Sequence, residues 1–436
     1  MLRTHLLPFA VAVGVLLVGA PRFASETTEV GSTAHASPRS PSTEQPATIV
    51  LPRTAKKVSD AAIGRLEHPA RLAALFGRLK ELEERHATRD VRIVQFGDSH
   101  TASDYGTSVA RTRLTVRFGD GGRGFLPMGA PYRRLFQAGE SMARGFGFEP
   151  DDASLLAKRG HPDGFFGPTG IAMDGRAIGA SMTSEISAAA ERYEIAYLGQ
   201  PGGGSFDIHV DGQRRIRIAT NQPARASAFL SVEVKRGAHS LEARAVGDGP
   251  VRIFGVRLDD DATGLTFDAF GINGAKATTL LGSDETHFAE QLAHVAPALT
   301  IFAYGTNESG DTTTTPDDHQ EALKALASRT KRGASASECL VLGPPDRGVP
   351  TIGKLMVLIA AQRRAADDAG CAFYDQLAAM GGAGAIGLWA RESPPRARRD
   401  FVHLTRAGYA FVAEAFVRDL VAAYDNWKSA NDVASR

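Results

Sequence analysis

Apolar and polar positions along this chain follow two periods, and the change of period divides it. From Ile63 to His86 large apolar residues (Leu66, Leu72, Leu75, Phe76, Leu79, Leu82) recur at helical spacing, which predicts an amphipathic helix. The apolar run Val91–Phe96 reads as a buried strand, and Tyr105–Phe118 as a helix ended by Gly119. The period then becomes two, in Tyr193–Leu198, Phe206–Val210, Phe229–Val234, Ser240–Ala245 and Val251–Val256. Turn residues separate these runs at 202–204, 211–212, 236–237 and 247–249, so an antiparallel β-sandwich is expected. After Asp268 strands (Leu299–Ala303, Cys339–Leu342, Cys371–Tyr374) again alternate with helices (Asp318–Arg332, Ile352–Ala369, Ala407–Tyr424). The fold class is therefore α/β, a doubly wound parallel sheet interrupted by an antiparallel β-sandwich. The α/β domain is expected over 61–118 and 269–428, with the insert at 119–268.

The N-terminal residues change the picture by pointing to export. A basic start (Arg3, His5) precedes an apolar run from Leu6 to Ala20, short for a membrane span but suited to a signal peptide. Residues 1–24 fit a cleaved signal peptide or a retained membrane anchor, since Pro21 and Arg22 disfavour the cleavage sites; both readings stand. No cysteine lies near this segment, which argues against a lipoprotein. Residues 25–60 are rich in Ser, Thr, Pro and Ala and read as a disordered linker. Periplasm or cell envelope is the expected location.

Charge excludes one class of partner. With 50 basic and 49 acidic residues among 436, the net charge is +1, and no field would recruit nucleic acid. The two cysteines, Cys339 and Cys371, each open a strand candidate. If those strands are neighbours the sulfurs meet as a disulfide, and otherwise they are two small buried side chains.

Two glycine-rich stretches are set aside as nucleotide sites. Gly119–Gly124 matches a dinucleotide fingerprint by letter but follows a helix, not a strand. Gly348–Lys354 resembles a P-loop, but Leu355 replaces the magnesium-binding hydroxyl and Pro350 removes an amide. No zinc motif and no Gly-x-Ser-x-Gly elbow occur, so neither a metal nor an organic cofactor is implied.

The candidate chemistry starts at Gly97-Asp98-Ser99-His100, which puts a serine at the C-terminal tip of a strand. A helix N-cap is the bland alternative for Ser99. A nucleophilic serine needs a base, an orienting carboxylate and oxyanion donors. Asp400-x-x-His403, before the last helix, offers the first two. Asp284-x-x-His287 competes by spacing, but it falls in a helix and reads as a solvated face. Gly274 and Asn307, the latter just after a strand, complete a set of donors with the Ser99 amide.

These four ordered blocks resemble those of the SGNH/GDSL hydrolases, over about 88–118 and 269–425. The resemblance implies a flavodoxin-like α/β fold with Ser99 as nucleophile, His403 as base, Asp400 as its orienter, and Ser99, Gly274 and Asn307 as oxyanion hole. His100 stands where the namesake motif has Leu, and the insert explains the long gap from Ser99 to Gly274. A Gly-Asp-Ser-His form with a β-sandwich at this point is similar to exported peptidoglycan O-acetylesterases, whose insert resembles a carbohydrate-binding module. The Asp211-Gly212 turn and Gly237-x-His239 give this insert that look. The expectation is an esterase acting on an acetylated envelope polysaccharide. An O-acetyltransferase, an acetylxylan esterase and a non-catalytic glycan-binding protein are the alternatives. His100, Asp346, Arg347 and Arg399 are candidates for the substrate rim. Arg396, Arg398 and Arg399 read mainly as a solvated basic run before Asp400.

Overall fold

The computed structural model describes residues 64–132, 135–154, 163–348 and 351–434. The expected signal peptide or anchor and the linker lie outside these residues. In chain order the strands are β1 (Leu66–Glu67), β2 (Val91–Gly97), β3 (Gly124–Leu126), β4 (Glu140–Arg144), β5 (Phe148–Asp152), β6 (Ile171–Gly175), β7 (Ser181–Gly199) and β8 (Ser205–Val210). They continue with β9 (Gln213–Ala219), β10 (Ala226–Ala245), β11 (Val251–Asp259), β12 (Leu265–Gly271), β13 (Leu299–Ala303), β14 (Glu338–Leu342) and β15 (Ala372–Tyr374). The helices are α1 (Ala73–Glu83), α2 (Ser99–Ala102), α3 (Tyr105–Phe118), α4 (Glu285–Val295) and α5 (Thr306–Gly310). They are followed by α6 (Pro316–Gly333), α7 (Ile352–Ala369), α8 (Gln376–Met380), α9 (Ala385–Trp389) and α10 (Arg406–Ala434). Among the described residues no helix is long and apolar enough to cross a membrane.

Two sheets organise these elements among the described residues. The first has the order β1-β15-β14-β13-β2-β12, parallel throughout except for β1, which runs antiparallel to β15. Its central strands are apolar on both faces, as a sheet covered by helices on both sides requires. Cys339 and Cys371 are joined as a disulfide, at the end of the sheet opposite the strand tips. The second sheet is antiparallel, with β7 and β10 paired along most of their length. Strands β11, β6 and β5 continue from one half of that ribbon, and β4, β8 and β9 flank the other half. Residues from both halves, among them Tyr193, Ile208, Leu241 and Ile253, share one fully buried core.

Local physics moved four expected boundaries. The helix expected from Ile63 begins only at Ala73, because Pro69 opens a short 3-10 turn and His68 before it adopts a left-handed φ of 53°. Leu66 is instead a strand residue against Tyr374. The turn expected at Arg236-Gly237 is a bulge inside the continuous β10, since β7 supplies a partner on either side of it. The insert ends at Gly264 and not at Asp268: Leu265–Gly271 is buried at every position and pairs with Val91–Gly97. The last helix runs on past Tyr424 to Ala434.

The insert is bolted to the α/β domain by a buried carboxylate. Asp104, fully buried between α2 and α3, accepts from Arg111 at 2.9 Å, Thr107 at 2.5 Å, Arg123 at 2.9 Å and the Ala138 amide at 2.9 Å. Arg123 and Ala138 belong to the insert, and Arg123 also donates to Gln137. Burial works against the charged form of Asp104, but Arg111, Arg123, Thr107 and the Ala138 amide together hold its pKa below the ordinary value. Removing the carboxylate leaves two buried cations unpaired. Asp104→Ala is expected to lower the unfolding free energy by about 3–5 kcal/mol in urea titrations; a loss below about 1 kcal/mol would contradict this role.

Candidate active site

Register sets the site. Gly271 and Ala303 both pair with Gly97, so β12, β2 and β13 end level and the chain leaves all three at one edge. Immediately beyond Gly97, Asp98 caps α2 by accepting the His100 amide at 2.9 Å. Ser99 is therefore not the cap but the first residue of that helix. A side chain on Gly271 would stand 2.1 Å from the Ala102 nitrogen, so glycine there lets α2 close down on the strand tips.

His403 arrives on a narrow loop. Ala397 bridges Leu404, the Arg398 amide donates to the His403 carbonyl at 2.8 Å, and the Thr405 amide donates to Arg396. Asp400 Oδ1 accepts the Val402 and His403 amides at 3.0 and 2.9 Å. Its Oδ2 lies 2.9 Å from His403 Nδ1, and His403 Nε2 lies 3.0 Å from Ser99 Oγ. With Nδ1–H donated to the carboxylate, Nε2 is free to accept the serine proton. Partial burial opposes the charged form of Asp400, yet the His403 amide, its ring and the Val402 amide hold the carboxyl below its usual pKa.

Gly274 and Asn307, the expected donors, line the same cleft. Gly274 sits at φ +78° with open space beside it, a conformation that favours glycine. Asn307, on α5, spends one Nδ2 proton on the Ala275 carbonyl at 2.8 Å and keeps its second. Ser99, Gly274, Asn307, Asp400 and His403 line one open cleft. Sequence reading missed Glu308, which ties the two donor loops together. It is buried and accepts from the Ala277 amide at 2.8 Å and the Gly305 amide at 3.0 Å, with His319 Nδ1 at 3.3 Å.

The rim candidates separate. Arg347 lines the cleft, its head donating to the Thr306 carbonyl and to Ser309. Arg399 is exposed but does not line the cleft, whereas its neighbour Arg398 does. Asp346 is fully buried and accepts the Ile386 amide at 2.8 Å, so it anchors α9 and cannot meet a substrate. His100 does not line the cleft; its Nδ1 lies 2.8 Å from the hydroxyl of Tyr409, which does. Arg396 is partly exposed but not free: it pairs with Glu392 and stacks over Trp389. His287, read from sequence as part of a solvated face, is also buried. Its ring lies 2.7 Å from the Phe166 carbonyl and 3.0 Å from Ser227, both in the insert.

No family model matches the chain, and no curated protein matches it. Among solved structures, a peptidoglycan O-acetylesterase superposes with a TM-score of 0.64 at 24% identity, covering 79% of this chain and 94% of that one. A family two carbohydrate esterase from Clostridium thermocellum gives 0.28 at 12% identity, covering 62% of this chain and 97% of that one. One from Cellvibrio japonicus gives 0.28 at 11%, covering 66% and 98%. The last two overlaps are too weak to carry an argument. The first shows the fold, which is the one the SGNH/GDSL resemblance implies: an α/β domain interrupted by an antiparallel insert.

Behind Ser99, Asp98 and His100 face a cavity of about 60 Å³, and among the described residues Asp98 Oδ2 and His100 Nε2 find no hydrogen-bond partner. Burial, opposed by the His100 amide and aided by Glu308, raises the Asp98 pKa to about 7. Burial, aided by His403 and Arg347 against Asp400, lowers that of His100 to about 3. Between about pH 4 and 6.5 the folded pair is neutral and the unfolded pair is charged twice over with opposite signs, so folding moves no net proton. Removing either partner exposes the other. Relative to wild type, His100→Gln should lose stability as pH rises from about 4 to 7, because the folded Asp98 holds the extra proton. Asp98→Asn should lose it as pH falls from about 6.5 to 3, because only the unfolded His100 takes a proton. Urea titrations across this range should give slopes of opposite sign, each up to about 1.4 kcal/mol per pH unit; two variants parallel to wild type would overturn the assignment.

Proposed function

We propose that this protein is an exported serine esterase that removes O-acetyl groups from a cell-envelope polysaccharide, peptidoglycan in particular. The observation that carries the reading is the relay Ser99 Oγ–His403 Nε2–Nδ1–Asp400, in a cleft that Gly274 and Asn307 also line. Ser99 Oγ attacks the acetyl carbonyl while His403 Nε2 takes its proton. The oxyanion that forms meets the Ser99 and Gly274 amides and the second Nδ2 proton of Asn307. Collapse breaks the ester bond, and His403 hands its proton to the departing sugar oxygen. Water then gives a proton to His403 and attacks the acetyl-serine; acetate leaves and Ser99 regains its proton. Asp400 fixes the ring tautomer and stabilises the imidazolium in both halves.

Choice of substrate rests on two supports. The likeness to the peptidoglycan O-acetylesterase covers 94% of that chain. The apolar segment from Leu6 to Ala20, cleaved or kept as an anchor, would deliver the protein to the compartment of that polymer.

Acetate release should be measured on acetylated peptidoglycan, acetylated xylan and a small acetyl ester. Ser99→Ala is expected to lower kcat on every responsive substrate by about a thousandfold or more, and Asp400→Asn by less, with peptidoglycan giving the highest kcat/KM. Full activity in Ser99→Ala overturns the mechanism. Acetyl transfer to an acceptor sugar in preference to water would make the site a transferase, and a preference for xylan would remove the envelope substrate.

A further inference from the structure

The insert contributes to the cleft as well as bordering it. Leu135 and Phe136 belong to the insert, and both line the cleft that holds Ser99 and His403. Phe136 packs on Tyr105, with ring centres 4.6 Å apart and planes tilted by 40°. Arg406 of α10 lies over both rings, 5.0 Å from Tyr105 and 5.2 Å from Phe136. The residues that follow are pinned: Gln137 accepts from Arg123 at 2.7 Å, and the Ala138 amide donates to the buried Asp104 at 2.9 Å. Phe136 is thus held by an aromatic contact, a cation and a buried carboxylate, yet remains half exposed at the cleft.

A partly exposed aromatic side chain kept in one position at a polar cleft suits an occupant of mixed character. The negative face of an aromatic ring attracts the polarised C–H bonds on the apolar face of a pyranose, while the hydroxyls at the sugar edge stay free for polar groups. Small esters have no such face. Resting on the function proposed above, we infer that Leu135 and Phe136, backed by Tyr105 and Arg406, form a sugar-binding wall for a pyranose ring of the acetylated glycan. The insert would then select polymer over small ester at the catalytic cleft itself, and not only through a surface elsewhere on the β-sandwich.

The test compares Phe136→Ala with wild type in the full-length chain, on acetylated peptidoglycan and on 4-nitrophenyl acetate. The ratio of kcat/KM on polymer to that on small ester should fall about tenfold, through KM on the polymer, and Phe136→Trp should restore most of it. A second readout is independent of turnover: sedimentation of Ser99→Ala with acetylated peptidoglycan should weaken about tenfold when Phe136→Ala is added. An unchanged ratio and unchanged sedimentation overturn the wall while leaving the esterase standing. Equal losses on both substrates overturn it as well, because they mean that Phe136 only shapes the catalytic loops. If wild type releases no acetate from any glycan but Phe136-dependent sedimentation persists, the esterase reading fails and the wall survives.

Discussion

The level ending of β12, β2 and β13 is the constraint on which the rest of the structure depends. Parallel strands in register deliver their C-terminal loops to one edge, and the segments carrying Ser99, Gly274 and Asn307 leave from there. Ser99 follows β2, Gly274 follows β12 and Asn307 follows β13. A slip of one residue in either pairing would turn every side chain of that strand to the other face and move its loop by about 3.3 Å. His403 is the exception, for it reaches Ser99 on a loop shaped by its own hydrogen bonds to Asp400 and Arg398. Glu308 then turns two of the separate loops into one unit through the Gly305 and Ala277 amides.

A second consequence concerns the insert. It leaves the α/β domain after α3 and returns at β12, directly beside the strand that carries Ser99. Asp104, with Arg111 on one side and Arg123 on the other, fixes this junction, while His287 fixes another through Phe166 and Ser227. Burying Asp104 with Arg111 and Arg123 is tolerated because the carboxylate pairs with both guanidinium groups. The same junction holds Phe136 at the cleft, so attachment of the insert and the shape of the site are one arrangement.

How far this was legible in the sequence follows the physics of each element. Helices with clear stops were: Tyr105–Phe118 ends at Gly119, and Ile352–Ala369 at Gly370, as their spacing predicts. Strand β12 was not, because a strand buried on both faces has no alternation and was partly absorbed into the insert. The long antiparallel pair of β7 and β10 was misread at Gly237, where a bulge and a turn use the same residue types. In the site, residues at strand tips and in a short Asp-x-x-His loop could be found by spacing, and the structure brings Ser99, Gly274, Asn307, Asp400 and His403 to one cleft. Contacts made at long range could not. Asp346 looked like a rim residue until its carboxylate met the α9 amide, and His100 looked like a substrate contact until its ring met Tyr409. Glu308 and Phe136 have partners more than thirty residues away, and no local pattern marks them.

The central claim is that Ser99, activated by His403, is the nucleophile. The most direct measurement is covalent labelling with a serine-directed phosphonate, mapped by mass spectrometry of the digested protein. One adduct per chain, on the peptide that carries Ser99 and lost in His403→Ala, is the predicted result. No adduct on the active wild-type protein, or an adduct on another serine that tracks its activity, would contradict the account.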